Sequence, residues 1–246
     1  MDRLLYISSV GLANIERAQT AHANNLANVS TTGFRADLAR VMSSEVAGDG
    51  YRARVYGVNE GAGVDLSRGV NVATDRDLDV AINGAGLLAV TMPDGSEGYT
   101  RNGRLQVDSI GRLTTDSGLQ VMGRSGPIVL PPYETLLIGA DGSITIRPQG
   151  QGPEALVLTE RLKLVNPPVA EIMKDPSGLL VSTTGAPFEA ANEVEVQTGF
   201  LESSNVNAVN ELTEILSLAR QFELEVRMMK VAETNDEAAS SLLRIG

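Results

Sequence analysis

Apolar residues near the carboxyl end of the chain recur at alternating intervals of three and four. The residues with this spacing are Leu212, Ile215, Ala219, Phe222, Val226 and Met229. This is the heptad pattern of a helix that packs against other helices along an apolar seam. A cluster of Ser and Asn at 203–207, residues that favour helix starts, precedes it. We therefore predict one helix over residues 208–244, roughly 55 Å long at 1.5 Å per residue.

The amino end carries a second helical pattern, over residues 3–27, with a thinner apolar stripe. Ser8, Gln19 and His22 occupy seam positions between the apolar ones, and such a helix is marginal on its own. Its stripe is too narrow to cover the whole seam of the carboxyl-terminal helix. We expect other subunits to cover the rest.

The amino-terminal helix ends in an asparagine-rich stretch, and Gly33, free to adopt positive φ, turns the chain after it. Asn lowers helix propensity because its amide competes for backbone hydrogen bonds, but that amide also offers donors and acceptors to a neighbouring chain. We predict a subunit interface formed by both helices. Its candidate residues are Asn24, Asn25, Asn28, Leu212, Ile215, Phe222, Val226 and Met229.

Between the two helices the apolar pattern changes to a period of two, interrupted by turn residues. Asn83-Gly84 and Asn102-Gly103 are hairpin dipeptides. We predict about ten short strands in an all-β module over residues 77–198. Residues 35–76, rich in Gly, are predicted to be an extended, irregular connector. The fold class is therefore α+β, with a mostly antiparallel β module between two helical ends, 1–34 and 199–246, that pair into an assembly domain.

Composition excludes several classes of function. The net charge of −11 argues against a nucleic-acid surface, which needs clustered cations. The absence of Cys excludes disulfides and thiolate-based metal sites. The apolar run Leu4–Ile7 is preceded by Asp2 and followed by the charged pair Glu16-Arg17, so we expect no cleaved signal peptide. The run is also too short, and too soon interrupted by Ser8-Ser9, for a membrane span.

No residue set indicates catalysis, and we assign no catalytic, cofactor-binding or metal-binding residue. A Ser-His-Asp site would have to use His22, the single histidine, and there is no G-x-S-x-G sequence. Asp75, Asp77 and Asp79 alternate as on one strand face, which fits either a solvated face or weak cation binding. A secreted hydrolase that depends on His22, and a secreted calcium-binding or adhesive β protein, stay as alternatives.

A β module flanked by incompletely covered helices suits self-assembly. If the ends of many copies bundle through heterologous, non-closing contacts, the result is a helical filament and not a ring.

Three separated motifs resemble those of bacterial flagellar rod and hook proteins, over essentially the whole chain. The first is Asn24-Asn25-Leu26-Ala27-Asn28 with Thr32-Gly33-Phe34; the second is Asp77-Leu78-Asp79-Val80-Ala81-Ile82 with Tyr99-Thr100-Arg101-Asn102-Gly103. The third is Gly199-Phe200-Leu201-Glu202-Ser203-Ser204-Asn205-Val206-Asn207 with Ala219-Arg220-Gln221-Phe222-Glu223. Within this family the chain most resembles the proximal-rod member, through its short connector, its length and the segment Leu162–Pro168. A distal-rod or hook-type protein is the alternative.

The resemblance implies a structural, non-enzymatic axial subunit of the basal-body rod, the drive shaft for motility that crosses the periplasm. It implies as partners copies of the chain itself, other rod proteins and the flagellar type III export apparatus, which exports without a cleaved signal. It implies no cofactor, nucleic acid or small-molecule substrate. The terminal helices are expected to order on assembly.

Overall fold

The computed structural model describes residues 2–38, 41–45, 55–59, 63–152 and 154–244. These residues form two compact units. Unit 1 consists of Met1–Ala27, Asp37–Asp65 and Val206–Gly246, and unit 2 of Asn28–Ala36 and Leu66–Asn205. The chain therefore passes from one unit to the other four times.

The chain begins and ends with a helix, and the strands lie between them. The helices are α1 (Asp2–Ala27) and α2 (Ala208–Arg244), with a short 3-10 turn at Val169–Glu171. The strands are β1 (Asp37–Leu38), β2 (Val41–Glu45), β3 (Val55–Asn59), β4 (Gly63–Val64), β5 (Asn71–Ala73), β6 (Val80–Asn83), β7 (Leu87–Thr91), β8 (Glu97–Thr100), β9 (Leu105–Val107), β10 (Leu113–Thr115), β11 (Gln120–Val121), β12 (Tyr133–Ile138), β13 (Ser143–Pro148), β14 (Val157–Arg161), β15 (Leu164–Val165), β16 (Ile172–Lys174), β17 (Leu180–Ser182), β18 (Glu195–Thr198) and β19 (Phe200–Glu202).

Unit 1 contains both helices and two small sheets. The two predicted helices are confirmed, and α2 is capped at its start by Asn207, whose Oδ1 accepts hydrogen bonds from the main-chain N–H groups of Val209 and Asn210 at 3.0 and 3.3 Å. Strands β2 and β3 form an antiparallel hairpin, and β1 pairs with β4.

Part of the predicted irregular connector, residues 35–76, is regular. Strands β1 to β5 lie within this stretch. Strand β5 pairs with β19, which is more than 120 residues further along the chain. Because β5 and β19 are far apart in the sequence, no hairpin turn connects them, and no turn residues indicate the pairing. The gaps 39–40, 46–54 and 60–62 of this stretch lie outside the described residues.

Unit 2 is built from antiparallel sheets. An eight-stranded sheet runs in the order β16-β17-β8-β7-β11-β10-β9, with β15 also paired to β7, and a three-stranded sheet runs β12-β13-β14. Two-stranded pairs β6–β18 and β5–β19 complete the unit. Every described strand pairing is antiparallel, as the alternating sequence predicted, although the strands are shorter and more numerous than the ten expected.

The core of unit 2 is aliphatic, as expected for a chain without Trp. It is formed by β-sheet residues that include Leu88, Val90, Leu105, Leu113, Val121, Ile144, Ile146 and Leu162. Among the described helices none combines the length and apolar character that a membrane span requires.

Candidate assembly site

Helix α2 has one side that is less exposed than the rest. Most of its half-buried and buried positions recur at intervals of three and four, and they are Ala208, Glu211, Ile215, Leu218, Phe222, Glu225, Met229, Ala232 and Asp236, with Ala219 beside Leu218. Two of them, Glu211 and Glu225, contact α1: Glu211 binds His22, and the Glu225 carboxylate lies 3.5 Å from the position of a Cβ on Gly11. This side therefore faces α1, and the two helices run antiparallel.

Most of the large apolar side chains on the remaining surface of α2 are exposed. Leu212 is 48% exposed and Leu216 is 61% exposed. The other exposed apolar residues are Val209, Leu224, Val226, Met228 and Val231. We call these seven residues the free face of α2. These side chains are spread, with polar residues between them, over the part of the helix surface that does not face α1. Exposed apolar surface on a helix is available for contacts with a protein partner.

The predicted interface residues of α2 divide between the two sides of the helix. Leu212 and Val226 belong to the free face. Ile215, Phe222 and Met229 are half-buried on the side that faces α1. The predicted seam therefore combines residues from two surfaces of the helix. The surface that faces α1 also includes Glu211 and Glu225, which the apolar spacing does not identify.

The three candidate asparagines have different surroundings. Asn25 is 1% exposed, and its amide forms two hydrogen bonds with the main chain of Asp37, donating to the carbonyl at 3.0 Å and accepting from the N–H at 2.8 Å. Asn24 is exposed and donates to the Asp37 carboxylate at 2.7 Å. Asn28 accepts a hydrogen bond from the Thr31 hydroxyl at 3.0 Å. The contact of Asn25 is thus made within the chain.

Unit 2 contains a buried cluster of charges, which we call the Glu202 cluster. The Glu202 carboxylate is 1% exposed and accepts hydrogen bonds from Arg35 Nη2 at 2.5 Å and Arg101 Nη1 at 2.8 Å. It also accepts one from the main-chain N–H of Gly69, at 2.8 Å. Arg101 donates further to the carbonyl of Gly84 at 2.7 Å. One carboxylate thus joins four separate chain segments.

Burial dominates the electrostatics of this cluster. Desolvation lowers the pKa of the Arg101 guanidinium from its ordinary value, the negative charge of Glu202 opposes that change, and the nearby positive charge of Arg35 adds to it. The Nε atoms of Arg35 and Arg101 are buried without a hydrogen-bond partner. The two guanidiniums therefore depend on the Glu202 carboxylate for compensation.

The Glu202 cluster also anchors residues 28–36, which follow α1. The N–H of Gly33 donates to the Glu202 carbonyl at 2.8 Å, and that of Ala36 donates to Asn205 Oδ1 at 2.8 Å. Lys174 lies 3.9 Å from the centre of the Phe34 ring and donates to the carbonyl of Arg35 at 2.9 Å. The segment after α1 and the segment before α2 are therefore fixed to each other in unit 2.

We expect Gly33→Ala to destabilise unit 2 more than a glycine substitution at a similar φ. Gly33 has φ +69°, and a Cβ there would overlap the main chain at Arg101 and Asn102. Gly199→Ala is the matched control, because Gly199 has φ +75° and nothing lies within 4 Å of its Cβ position. Both variants carry the strain of a left-handed residue, about 1–3 kcal/mol.

The overlap adds about 2 kcal/mol to the loss for Gly33→Ala, by analogy with overpacked cores. Urea denaturation of the two variants beside the parent measures the difference. Equal losses for both substitutions would contradict the close approach at Gly33.

The buried charges are the functional feature that sequence reasoning missed, although a signal was present. Arg35, Arg101 and Glu202 each lie within or directly beside one of the three quoted motifs. Charged residues are usually exposed, so the sequence did not indicate that these three side chains are buried together.

The residues considered for catalysis and cation binding have different surroundings. His22 Nδ1 lies 2.5 Å from Glu211 Oε2, in the helix pair. Asp79 is buried and accepts a hydrogen bond from Arg76, whereas Asp75 and Asp77 are exposed. Within the described residues no group of three His, Asp or Glu side chains is arranged to hold a metal ion.

Three family models match successive parts of the chain. Residues 5–35 match "Flagella basal body rod protein", residues 81–151 match "Flagellar hook protein FlgE/F/G D1 domain", and residues 197–242 match "Flagellar basal body rod FlgEFG protein C-terminal". Together they include Arg35, Arg101 and Glu202 of the Glu202 cluster but not Gly69.

Full-length relatives agree with these matches. The chain is 36% identical to the flagellar basal-body rod protein FlgF of Escherichia coli K12 and 35% identical to that of Salmonella typhimurium LT2, over 99% of both chains in each case. It is 30% identical to the rod protein FlgG of Buchnera aphidicola subsp. Schizaphis graminum, over 98% of both chains. The chain therefore belongs to the flagellar basal-body rod protein family, in which it is FlgF-like.

Proposed function

We propose that the chain is a structural axial subunit of the proximal rod of the flagellar basal body. It assembles with copies of itself and with related rod proteins into a helical drive shaft for motility. The observation that carries this proposal is the free face of α2, an apolar helix surface in a protein of a rod family. Its role is structural and not enzymatic.

The free face gives the driving force for assembly. Burying an apolar side chain of the size of Leu or Val contributes about 1.5–3 kcal/mol. Burial of several of these side chains by neighbouring subunits therefore contributes free energy that offsets part of the cost of association.

We propose that the eight candidate residues named from the sequence contribute to this assembly in two ways. Leu212 and Val226, on the free face, contact neighbouring subunits directly. Ile215, Phe222 and Met229 support the helix pair behind that face. Asn24 and Asn28 contribute polar contacts at the end of α1, and Asn25 fixes the start of β1 from within the chain.

We further propose a role for each part of the chain. Residues 1–34 with 199–246 form the assembly domain, 35–76 connect, and 77–198 form a β module that braces the rod. Export is by the flagellar type III apparatus without cleavage of a signal, and the rod crosses the periplasm. A distal-rod or hook-type position is the second candidate, because a second rod protein, FlgG, and a hook-protein domain model also match the chain.

The test uses cells that lack their own proximal-rod protein and receive this chain with an epitope inserted between Gly150 and Gln151. These two residues are exposed in a turn, where an insertion is tolerated best. We expect restored motility and the epitope in the rod of purified basal bodies, next to the membrane-embedded ring. An epitope in the distal rod or hook selects the second candidate, and its absence from basal bodies contradicts the rod assignment.

Hydrogen exchange provides an independent prediction about the free chain. In dilute solution the amides of α1 and α2 are expected to exchange faster than those of β7 and β13, because the helices leave apolar surface uncovered whereas both strands contribute to the core. Protection of the helices should rise on assembly. Helical amides as protected as those of β7 in a dilute monomer would show that the helices need no partner.

A further inference from the structure

Where the side chains of α1 are described, its buried residues are small or polar: Ser8, Asn14, Ala18 and Asn25. Asn14, Ala18 and Asn25 share a side of the helix with Gly11, whose Cβ position is 3.5 Å from the Glu225 carboxylate of α2. Small residues present no large knobs to fit into holes on the partner helix, so the large side chains of this interface come mostly from α2, and packing favours one alignment over the next less strongly than two complementary seams do. A directional contact adds to that selection.

A polar contact provides that selection at the carboxyl end of α1. Glu211 lies on the first turn of α2, and its side chain is 13% exposed. Its two carboxylate oxygens face different residues of α1. Oε2 lies 2.5 Å from His22 Nδ1, and Oε1 accepts a hydrogen bond from Asn25 Nδ2 at 3.5 Å. His22 and Asn25 are three residues apart, so both point from the same side of α1.

We propose that Glu211 is the positioning residue that fixes the register of α2 against α1. Through Asn25 it also fixes where the chain leaves the helix pair. The Asn25 amide bridges Glu211 and the main chain of Asp37, at which β1 begins. A shift of α2 would therefore break the contact between Glu211 and His22. It would also remove the support that Glu211 gives to Asn25, which holds the start of β1. This inference requires the pairing of α1 with α2 but does not depend on rod assembly.

Alternative registers lack an equivalent partner. A shift of α2 by one helical turn places Ala208 or Ile215 where Glu211 stands, and a shift of two turns places Leu218 there. Each of these leaves the polar groups of His22 and Asn25 opposite an apolar side chain, which is costly for partly buried groups. The next carboxylate on the same side is that of Glu225, 14 residues or about 21 Å further along α2.

Two pairs of engineered cysteines measure the register, because the chain has no natural Cys. Gly11→Cys with Glu225→Cys reports the observed register. Gly11→Cys with Met229→Cys reports a shift of one turn. A short bis-maleimide links each pair in the dilute full-length chain, and mass spectrometry separates links within one chain from links between chains. We expect the observed-register pair to link about ten times more efficiently than the shifted pair, the ratio of a 1.4 kcal/mol preference.

Glu211→Leu is expected to reduce this ratio at least fivefold, while Glu214→Leu, on the exposed side of the same turn, leaves it unchanged. Both variants gain the same helix-forming residue, and circular dichroism confirms equal helix content. Glu211→Gln, whose carbonyl still accepts from His22 or Asn25, should keep an intermediate ratio. An unchanged ratio in Glu211→Leu overturns the proposal, and so does linking only between chains in the parent.

Discussion

Glu202→Gln is expected to lower the free energy of unfolding of unit 2 by about 3–5 kcal/mol, the usual cost of removing one partner from a buried ion pair. The substitution preserves the shape of the side chain but leaves Arg35 and Arg101, both nearly fully buried, without a counter-charge. Urea denaturation followed by far-ultraviolet circular dichroism measures the loss. Hydrogen exchange in β7 and β13 assigns it to unit 2.

Two further variants separate charge from packing. Glu195→Gln, at an exposed position of β18, is the matched control and should change the free energy of unfolding by less than about 0.5 kcal/mol. Replacing Arg35 and Arg101 by Met together with Glu202→Leu removes all three charges at once. This triple variant should recover most of the stability, because apolar replacements of buried ion pairs are often neutral. A loss below about 1 kcal/mol in Glu202→Gln would show that the cluster is not needed for stability.

Leu212→Asp combined with Leu216→Asp is expected to abolish rod assembly and motility. The double variant removes two apolar contacts from the free face, about 3–6 kcal/mol of burial, and adds two charges that a neighbouring helix would have to desolvate. A loss of that size weakens association by at least a hundredfold. Motility in soft agar and recovery of the chain in purified basal bodies measure the effect.

The fold of the subunit should survive this double substitution, because both leucines are exposed. Unfolding of the β strands of unit 2 in urea is expected to match the parent. Ser125→Asp, which adds the same charge at an exposed bend of unit 2 and leaves α2 unchanged, is the control and should assemble. Normal rods in the double variant would exclude the free face as an assembly surface.

The sequence was sufficient to predict the elements whose periodicity is long and regular. Both terminal helices and the antiparallel character of the middle region follow from spacing and turn residues, and Asn207 starts α2 within the predicted cap cluster. It was not sufficient for pairings such as β5 with β19, because nothing local marks two strands of three residues as partners. Such short strands are fixed by the structure around them.

Charged residues account for the largest differences between the predicted and the observed site. Glu211 and Glu225 lie on the side of α2 that faces α1, beside Ile215, Phe222 and Met229 of the predicted seam, although apolar spacing alone does not select them. Arg35, Arg101 and Glu202 are buried, although charged residues are usually at the surface. Burial becomes favourable only when the partners come together from distant segments, and that geometry cannot be read from spacing.

Assembly through α2 requires that neighbouring subunits cover its free face. An electron cryomicroscopy reconstruction of the assembled basal body at side-chain resolution tests it most directly. We predict that Leu212, Leu216 and Val231 each lie within about 4.5 Å of apolar side chains from an adjacent subunit. A rod in which these side chains face solvent would contradict the account.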